Sequence, residues 1–257
     1  PMGEFIYDIP AQQRIGSSWY EGTADAVFQN IYSLQQNMTP FTLILSGDHV
    51  YQMNYMDMVQ FHVDNEADVT LGVVPMPVET ASQFGIVKAD RDMNVVGFQE
   101  KPKKDPVTMP GNPDCVLVSM GIYVFPTKTL IRKLVEDAKL KTSNHDFGKD
   151  IIPKMVKNNK VLAYPFKDIM GKSYWRDIGT LDAYYDANMD LVSVSPECNL
   201  YHPHWPVHTV YSPYPPSKMV FAGGQDGKRI GQVLDSIICG GSIVSGGKVE
   251  RSIIPPN

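Results

Sequence analysis

The chain has 257 residues and a formal net charge of −5; 43% of its residues are hydrophobic and 20% are charged. This composition supports a folded core and excludes a disordered chain, and the acidic balance argues against nucleic acid as the main partner. Three cysteines without a CxxC pair favour a reducing compartment over a disulfide framework, and no apolar run reaches the length of a membrane span. We therefore expect a cytoplasmic protein with neither a nucleic-acid nor a membrane partner.

Strands and helices alternate along the first 196 residues. In chain order we predict a helix that begins near Thr23, a strand over 42–45, a helix over 56–65 and a strand over 67–76. GIVKAD and NVVGFQEK then form an antiparallel pair. Further strands are CVLVSMGIYVF and KVLAYPF, and further helices are 127–138, DFGKDIIPKMVKNN and TLDAYYDANMDLVS. This alternation predicts a layered α/β fold with a mixed, mostly parallel sheet.

The pattern changes after residue 196. Residues 197–232 are rich in proline and are predicted to be a linker. Beyond them Ile237, Ile243 and Val249 recur six residues apart, which is typical of a left-handed β-helix with one inward aliphatic residue per repeat. A β-hairpin with glycine turns explains the same residues equally well. On the first interpretation, residues 233–257 are the start of a β-helix whose chain continues further.

Two aspartates are the strongest candidates for metal-dependent chemistry. Asp48 follows the strand of residues 42–45 in LSGDHVY, and Asp177 precedes Gly179 and a helix in YWRDIGT. Ligands of open α/β sheets bind beyond the carboxyl ends of the strands, and two carboxylates there can hold one Mg²⁺. Each aspartate alone is more simply explained as a helix cap or a solvated loop residue. The pair favours a metal site.

Other residues suit a phosphorylated ligand. In FQEKP, Lys101 can neutralise a phosphate and Glu100 can accept hydrogen bonds from sugar hydroxyls, although a solvated strand end would look the same. Gly85 lets a ligand approach the backbone or forms a plain turn. The helix that begins after Gly22 has exposed N–H groups suited to an anion or a base edge, or an ordinary cap.

Two apparent metal motifs are rejected. Asp90-Arg91-Asp92 fits the DxD pattern of metal-dependent glycosyltransferases, but it falls where a hairpin turn is expected. His202, His204 and His208 are interleaved with prolines, which favours a surface loop over a regular metal site.

The chain closely resembles the ADP-glucose pyrophosphorylases (glucose-1-phosphate adenylyltransferases) through a series of motifs. In chain order these are PAQQR, WYEGTADAV, LSGDHVY, ASQFGIV, FQEKP, SMGIYVF, HDFGKDIIP, YWRDIGT and the terminal hexapeptides. The resemblance implies a Rossmann-like catalytic domain over residues 1–196, then the linker and the start of a left-handed β-helix. It implies transfer of an adenylyl group from ATP to glucose 1-phosphate, giving ADP-glucose and pyrophosphate for glycogen or starch synthesis. The implied full-length protein is an allosteric homotetramer of the cytoplasm, or of the plastid in a plant.

The resemblance also implies roles for single residues. Asp48 and Asp177 match the Mg²⁺ carboxylates, and Lys101 matches the lysine that binds the sugar phosphate. The residues implied near the glucose are Glu100, Gly85, Ser119, Asp146, Phe147 and Lys149. Those implied at the nucleotide are Gln12, Gly22 and Thr23, and those implied in the allosteric response are Gln13 and Tyr20.

The family has a glycine-rich loop of the form GGxGxRLxPLT that binds the triphosphate. No such segment occurs in these 257 residues. We therefore expect an N-terminally truncated fragment that is inactive by itself. Glu21 also stands where Arg or Gln is expected. One alternative is a non-catalytic regulatory subunit, against which the retention of Asp48, Lys101 and Asp177 argues. The other is a sugar-nucleotidyltransferase with a different base specificity.

Overall fold

The computed structural model describes residues 9–11, 19–36, 38–208, 212–223 and 228–256. Gln12 and Gln13, the predicted nucleotide and effector residues, lie outside this described part of the chain. The described residues divide into two compact units. Unit 1 takes its residues from Pro1–Gly47 and Met53–Phe166, and unit 2 from Asp48–Gln52 and Lys167–Asn257.

The helices and strands of the described residues follow the predicted alternation. The helices are α1 (Thr23–Gln29), α2 (Ile31–Gln36), α3 (Tyr55–Asp64), α4 (Thr127–Ala138), α5 (Ile152–Asn158) and α6 (Leu181–Leu191). The strands are β1 (Phe41–Ile44), β2 (His49–Tyr51), β3 (Val69–Pro77), β4 (Gly85–Ala89), β5 (Val95–Glu100), β6 (Cys115–Pro126), β7 (Val161–Pro165), β8 (Trp175–Asp177), β9 (Lys218–Val220), β10 (Gln232–Leu234), β11 (Ile237–Ile238), β12 (Ile243–Ser245), β13 (Lys248–Glu250) and β14 (Ile253–Ile254). A 3₁₀ segment covers Val78–Gln83, and a π-helical segment covers Phe147–Ile151. Within the described ranges, no helix has the length and apolar character needed to cross a bilayer.

Unit 1 is built around a six-stranded sheet in the order β5-β4-β6-β3-β7, and β1 joins it by pairing with β6. β3 and β7 are parallel, whereas β6 is antiparallel to β1, β3 and β4, and β5 is antiparallel to β4. Four strands (β1, β3, β4 and β7) therefore share one direction, and two run against them. The prediction of a mixed sheet is confirmed. Because β6 lies among the strands of the majority direction, most of the paired neighbours are nevertheless antiparallel.

The core of unit 1 explains why its two longest strands read as continuous apolar runs. β3 is buried at six consecutive residues and β6 at nearly every position, as expected of central strands that are covered on both faces. Leu130 and Leu134, one turn apart on α4, belong to the same buried cluster as Ile152 and Met155 of α5. This packed layer supports β4, β5 and β6, which carry the predicted site residues Gly85, Glu100 and Ser119.

The turn between β4 and β5 accounts for the DxD sequence. Asp90 Oδ1 accepts hydrogen bonds from the N–H groups of Asp92 and Asn94, both at 2.9 Å. The hydrogen bond from the Asn94 side chain is the main cause that lowers the pKa of Asp90. Asp90 therefore stabilises a hairpin turn, as the sequence predicted, and both of its carboxylate oxygens already accept hydrogen bonds from groups of that turn, Oδ1 from the backbone and Oδ2 from the Asn94 side chain.

Unit 2 contains an antiparallel ribbon of β2 and β8, followed by α6. Thr180 caps α6, because its Oγ1 accepts a hydrogen bond from the Ala183 N–H at 3.2 Å. At the other end of the helix, Tyr174 Oη and Arg176 Nε donate to Asp190 Oδ2 at 2.9 and 3.0 Å. These bonds fasten the strand that carries Asp177 to a helix.

The C-terminal strands of unit 2 form the start of a solenoid. β10 pairs with β13 and β11 pairs with β14, in parallel, so that Val233 stacks on Val249 and Ile237 on Ile253, each 16 residues further along the chain. β12 pairs in parallel with β9. Parallel stacking of successive coils excludes the hairpin alternative, whose strands would be antiparallel.

One detail of the hexapeptide prediction is wrong. We expected Ile243 to point inward, but its residue is 63% exposed, whereas the neighbouring Val244 is only 7% exposed. In β10, β12 and β13 the middle residue is the most buried one, and the middle residues of β12 and β13 are Val244 and Val249, five apart rather than six. An evenly spaced count from Ile237 therefore lands on the outer face of β12.

Candidate active site

The ribbon in unit 2 brings the two predicted metal carboxylates together. His49 stands opposite Asp177 in the antiparallel pairing, and the Ile178 N–H donates to the Asp48 carbonyl at 2.9 Å. One carboxylate oxygen of Asp48, one of Asp177 and one ring nitrogen of His49 lie within 4.8 Å of one another. The Asp48 side chain is 62% exposed, so its carboxylate is open to a ligand.

Gly179 keeps the space beside these carboxylates free. Its N–H donates to Asp177 Oδ1 at 2.8 Å. A Cβ placed on Gly179 would lie 3.0 Å from that oxygen, which is a tight contact, and 3.6 Å from Asp48 Oδ2, so a side chain would crowd Asp177 and fill the space beside Asp48. Two accessible carboxylates with room for water and phosphate oxygens suit a hard divalent cation. The residues present therefore fit the predicted Mg²⁺.

The way in which the two aspartates meet differs from the prediction. We expected two neighbouring strand ends of one parallel sheet, but β2 and β8 form a separate ribbon outside the six-stranded sheet. The sequence reasoning also passed over His49, the third member of the cluster. The signal that the sequence offered was the place of His49 directly after Asp48.

Glu100 is the centre of a second cluster, which lies in unit 1. It ends β5 and stands opposite Gly85 of β4. A Cβ on Gly148 would lie only 2.8 Å from Glu100 Oε2, so Gly148 leaves room for this carboxylate. A Cβ on Gly85 would lie 2.6 Å from Phe98 Cζ and 3.1 Å from Glu100 Oε2, so Gly85 leaves room first for the Phe98 ring and then for the carboxylate. Gly148 was not singled out in the sequence, since nothing there shows that it approaches a residue 48 positions away.

The neighbours of Glu100 act on its charge in both directions, and the net effect raises its pKa. Burial raises the pKa of Glu100, the negative charge of Asp146 raises it further, and Lys101 and Lys149 act in the opposite direction. Lys101 has a φ of +44°, in the left-handed region that lysine seldom occupies, and its N–H donates to the Phe84 carbonyl at 3.1 Å. A half-buried carboxylate pair with two lysines is suited to a ligand that offers both hydroxyl and phosphate groups.

Asp146 connects this cluster to α1. Thr23 Oγ1 donates to Asp146 Oδ2 at 3.0 Å and accepts from the Phe147 N–H at 3.1 Å. The Lys149 N–H donates to Asp146 Oδ1 at 3.0 Å, so that Asp146 caps the π-helical segment. Both carboxylate oxygens thus already have a partner, and the predicted contact of Asp146 with the sugar stays a prediction.

Two of the residues predicted near the sugar are buried. Phe147 is 3% exposed and packs in the aromatic core, with ring centroids 5.6 Å from Tyr123 and 6.0 Å from Phe125. The ring of Phe147 therefore faces the core, and its predicted place in the sugar pocket stays a prediction. Ser119 is also buried, on β6 opposite Val73, and its contact with the sugar stays a prediction.

The N-terminus of α1 is occupied by the protein itself. The N–H groups of Ala24 and Asp25 both donate to the His145 carbonyl, at 2.8 and 3.1 Å. A Cβ on Gly22 would lie 2.4 Å from that oxygen and 2.5 Å from the Asn144 carbonyl oxygen. The prediction of exposed N–H groups is thus wrong at Ala24 and Asp25, and Gly22 serves close packing. The nucleotide contacts of Gly22 and Thr23 stay predictions.

Tyr20, a predicted effector residue, packs against the same helix. Its hydroxyl accepts a hydrogen bond from Asn30 Nδ2 at 2.9 Å, and Asn30 is the C-cap residue that follows α1. An allosteric role of Tyr20 stays a prediction.

Proteins named glucose-1-phosphate adenylyltransferase match the chain over almost its whole length. Glucose-1-phosphate adenylyltransferase of Rhodopirellula baltica is 50% identical over 255 residues, and that of Thiobacillus denitrificans is 46% identical over 255 residues; each alignment covers 98% of this chain and 57% of the relative. That of Anaeromyxobacter dehalogenans is 44% identical over 262 residues, which cover 99% of this chain and 63% of the relative. The resemblance carried by the motifs is confirmed, and the chain spans less than two thirds of the length of these relatives.

Two family models divide the chain between them. The GlmU-like C-terminal hexapeptide model matches residues 215–257, which include the strands of the solenoid. The nucleotidyl transferase model matches residues 7–194, which include the six-stranded sheet and both clusters. The match covers well over half of the chain. The chain belongs to the nucleotidyl transferase family.

Proposed function

We propose that this chain carries the catalytic residues of a glucose-1-phosphate adenylyltransferase, which transfers an adenylyl group from ATP to glucose 1-phosphate. The observation that carries the proposal is the approach of Asp48 and Asp177 to within 4.8 Å in a chain that is 44–50% identical to relatives of that name. In the reaction, a phosphate oxygen of glucose 1-phosphate attacks the α-phosphorus of ATP, the bond to the β-phosphate breaks, and pyrophosphate leaves.

The residues of unit 2 supply the metal-binding part of this proposal. Asp48 and Asp177 would hold Mg²⁺ through their open oxygens, and Gly179 leaves space for the phosphate oxygens of the substrate. A bound Mg²⁺ would neutralise charge on the α-phosphate. Catalysis by this chain is then positioning and charge neutralisation without a covalent intermediate.

The residues of unit 1 supply the sugar-binding part. Lys101 binds the phosphate of glucose 1-phosphate as a point charge, and Glu100 accepts hydrogen bonds from glucose hydroxyls. Lys149 joins Lys101 in favouring the charged form of Glu100. The ionised carboxylate is the form that accepts these bonds most strongly.

The remaining parts of the assignment concern the full-length protein. We propose that it is an allosteric homotetramer of the cytoplasm, with effector response in the region of Gln13 and Tyr20 and a role in glycogen synthesis, since the relatives above are bacterial. Residues 1–196 are its catalytic domain, 197–232 its linker and 233–257 the beginning of its left-handed β-helix.

The test is pyrophosphate release from glucose 1-phosphate and Mg²⁺ with ATP, UTP, dTTP or GTP offered in turn. It is run on this chain and on a chimera that carries the flanking segments of the Rhodopirellula baltica relative. We expect release with ATP in the chimera and none in the chain alone. A preference for another nucleotide would assign the chain to a different base specificity. Silence of a folded chimera would favour the regulatory subunit.

A further inference from the structure

His49 lies in the metal cluster but has no part in the function proposed so far. Its side chain is only 10% exposed, and its ring stands edge-on to Trp175 with centroids 4.9 Å apart and an interplanar angle of 77°. The ring is therefore held in place by packing. Nδ1 is buried and has no hydrogen-bond partner among the described residues. Among the described residues, the polar contact of the His49 ring is made by Nε2.

The contact of Nε2 has the length expected for two ligands of one cation. Nε2 lies 3.5 Å from Asp48 Oδ1, which is long for a direct hydrogen bond. Two donor atoms that each lie about 2.1 Å from the same metal ion are about 3.0–3.5 Å apart, depending on the angle between them. The pairing of β2 with β8 places His49 opposite Asp177, so the ring nitrogen is close to both carboxylates.

We propose that His49 is a nitrogen ligand of the divalent cation that Asp48 and Asp177 bind. The inference rests on the metal site of the proposed function. Imidazole is a poor ligand for Mg²⁺, which prefers oxygen, and a better one for divalent transition-metal ions, with Mn²⁺ gaining less than Co²⁺ and Zn²⁺. The site therefore binds these transition-metal ions more tightly than two carboxylates alone would, while Mg²⁺ gains little from His49.

The experiment uses Mn²⁺ alone as the probe, on the chain as it exists. Electron paramagnetic resonance gives the Mn²⁺ affinity, and pulsed measurement of the bound ion detects a directly coordinated nitrogen. We expect a ¹⁴N coupling that changes to a ¹⁵N coupling when the protein is made with ¹⁵N-histidine, a result that needs no substitution. In His49→Asn the nitrogen coupling disappears and the Mn²⁺ affinity falls at least about tenfold, while the Mg²⁺ affinity, measured by competition, changes less.

The matched control is His202→Asn. His202 also has a buried Nδ1 without a hydrogen-bond partner among the described residues, but it is outside the cluster. We expect its substitution to leave the nitrogen coupling intact.

Two results would overturn the inference in different ways. Bound Mn²⁺ that depends on Asp48 but shows no histidine coupling in the unsubstituted chain would remove His49 from the ligands and leave the proposed function standing. Mn²⁺ binding that is absent, or unchanged by Asp48→Asn, would overturn the inference together with the metal site on which it rests.

Discussion

Glu100 is held in a position where its charge opposes folding and serves binding. Burial and the nearby Asp146 raise its pKa above that of an unfolded chain, which is about 4.3. Folding therefore favours the uncharged form. The stability that the uncharged Glu100 contributes is fully present below pH about 4.3 and is lost as the pH rises through the pKa of Glu100 in the folded state. At neutral pH the ionised carboxylate destabilises the protein without its ligand.

The first prediction follows for Glu100→Gln, which cannot ionise. We expect the melting temperature at pH 7 to exceed that of the parent chain, and the difference to shrink as the pH approaches 4. The KM for glucose 1-phosphate should rise about tenfold to a hundredfold, because a hydrogen bond to a charged acceptor is lost. Thermal unfolding across pH, and kinetics in the active chimera, provide the measurements. Glu136→Gln, at a 56% exposed side chain, is the stability control, and a lower melting temperature for Glu100→Gln at pH 7 would contradict the account.

Asp48 is open to solvent and makes no large packing contribution, so its substitution tests chemistry rather than stability. In the chimera we expect Asp48→Asn to lower kcat about 100- to 1000-fold while KM changes much less, because charge stabilisation in the transition state is lost. Asp92→Asn, in the rejected DxD turn, is the control and should leave kcat unchanged. An unchanged kcat in Asp48→Asn, or a large loss of kcat in Asp92→Asn, would show that the metal site is assigned wrongly.

At the scale of the elements, α1 is docked by backbone contacts that a single glycine permits. Gly22 has an extended backbone with φ of −169°, so no residue is strained there by conformation alone. The obstacle is steric, because a Cβ would lie 2.4 Å from the His145 carbonyl oxygen and 2.5 Å from that of Asn144. Both atoms are backbone and cannot turn aside like the end of a side chain.

We therefore predict that Gly22→Ala lowers the free energy of unfolding by about 1–3 kcal/mol, as overpacking does. The helix must move away from the 144–145 loop, and the hydrogen bonds of Ala24 and Asp25 to His145 weaken. Gly47→Ala is the matched control, since a Cβ there would meet no atom within 4 Å, and it should change stability by less than about 0.5 kcal/mol. Equal urea denaturation curves for the two variants would show that α1 does not depend on this contact.

The solenoid strands offer a test with adjacent residues. Val244 points inward and Ile243 outward, although the count of six residues had favoured Ile243. We predict that Val244→Asp destabilises the solenoid by about 3 kcal/mol or more, because it buries an unpaired charge, whereas Ile243→Asp has little effect. Hydrogen exchange of residues 228–256 measures the difference. Faster exchange in Ile243→Asp than in Val244→Asp would show that Ile243 is the inward residue, as the six-residue spacing predicts.

The elements that the sequence predicts well are those whose own pattern determines them. The long apolar run of β6 and the helix that follows it were located nearly to the residue, because burial on both faces and helical periodicity are local signals. β2 and β8 have three residues each, too few for a period to show. Their pairing joins segments more than 120 residues apart, and it is this pairing that brings His49 to the aspartates.

At the scale of the whole molecule, the chain enters unit 2 twice. The segment Asp48–Gln52 interrupts the residues of unit 1 and belongs to unit 2, whose remaining residues begin at Lys167. The prediction of one catalytic domain up to residue 196 did not include this division, because a five-residue excursion leaves no mark in composition. It matters for function, since Asp48 and Asp177 belong to unit 2 while Glu100 and Lys101 belong to unit 1.

The last prediction uses this division to separate the two proposed ligands by their protection against hydrogen exchange. Mn²⁺ alone should slow exchange at residues 48–51 and 175–179, and glucose 1-phosphate alone should slow it at residues 98–101 and 146–149, because each ligand contacts the cluster of one unit. Asp48→Asn should abolish the first protection and leave the second, and Lys101→Ala should do the reverse. If Asp48→Asn removed the protection by glucose 1-phosphate, or if that sugar protected no segment of unit 1, the assignment of metal and sugar to different units would be wrong.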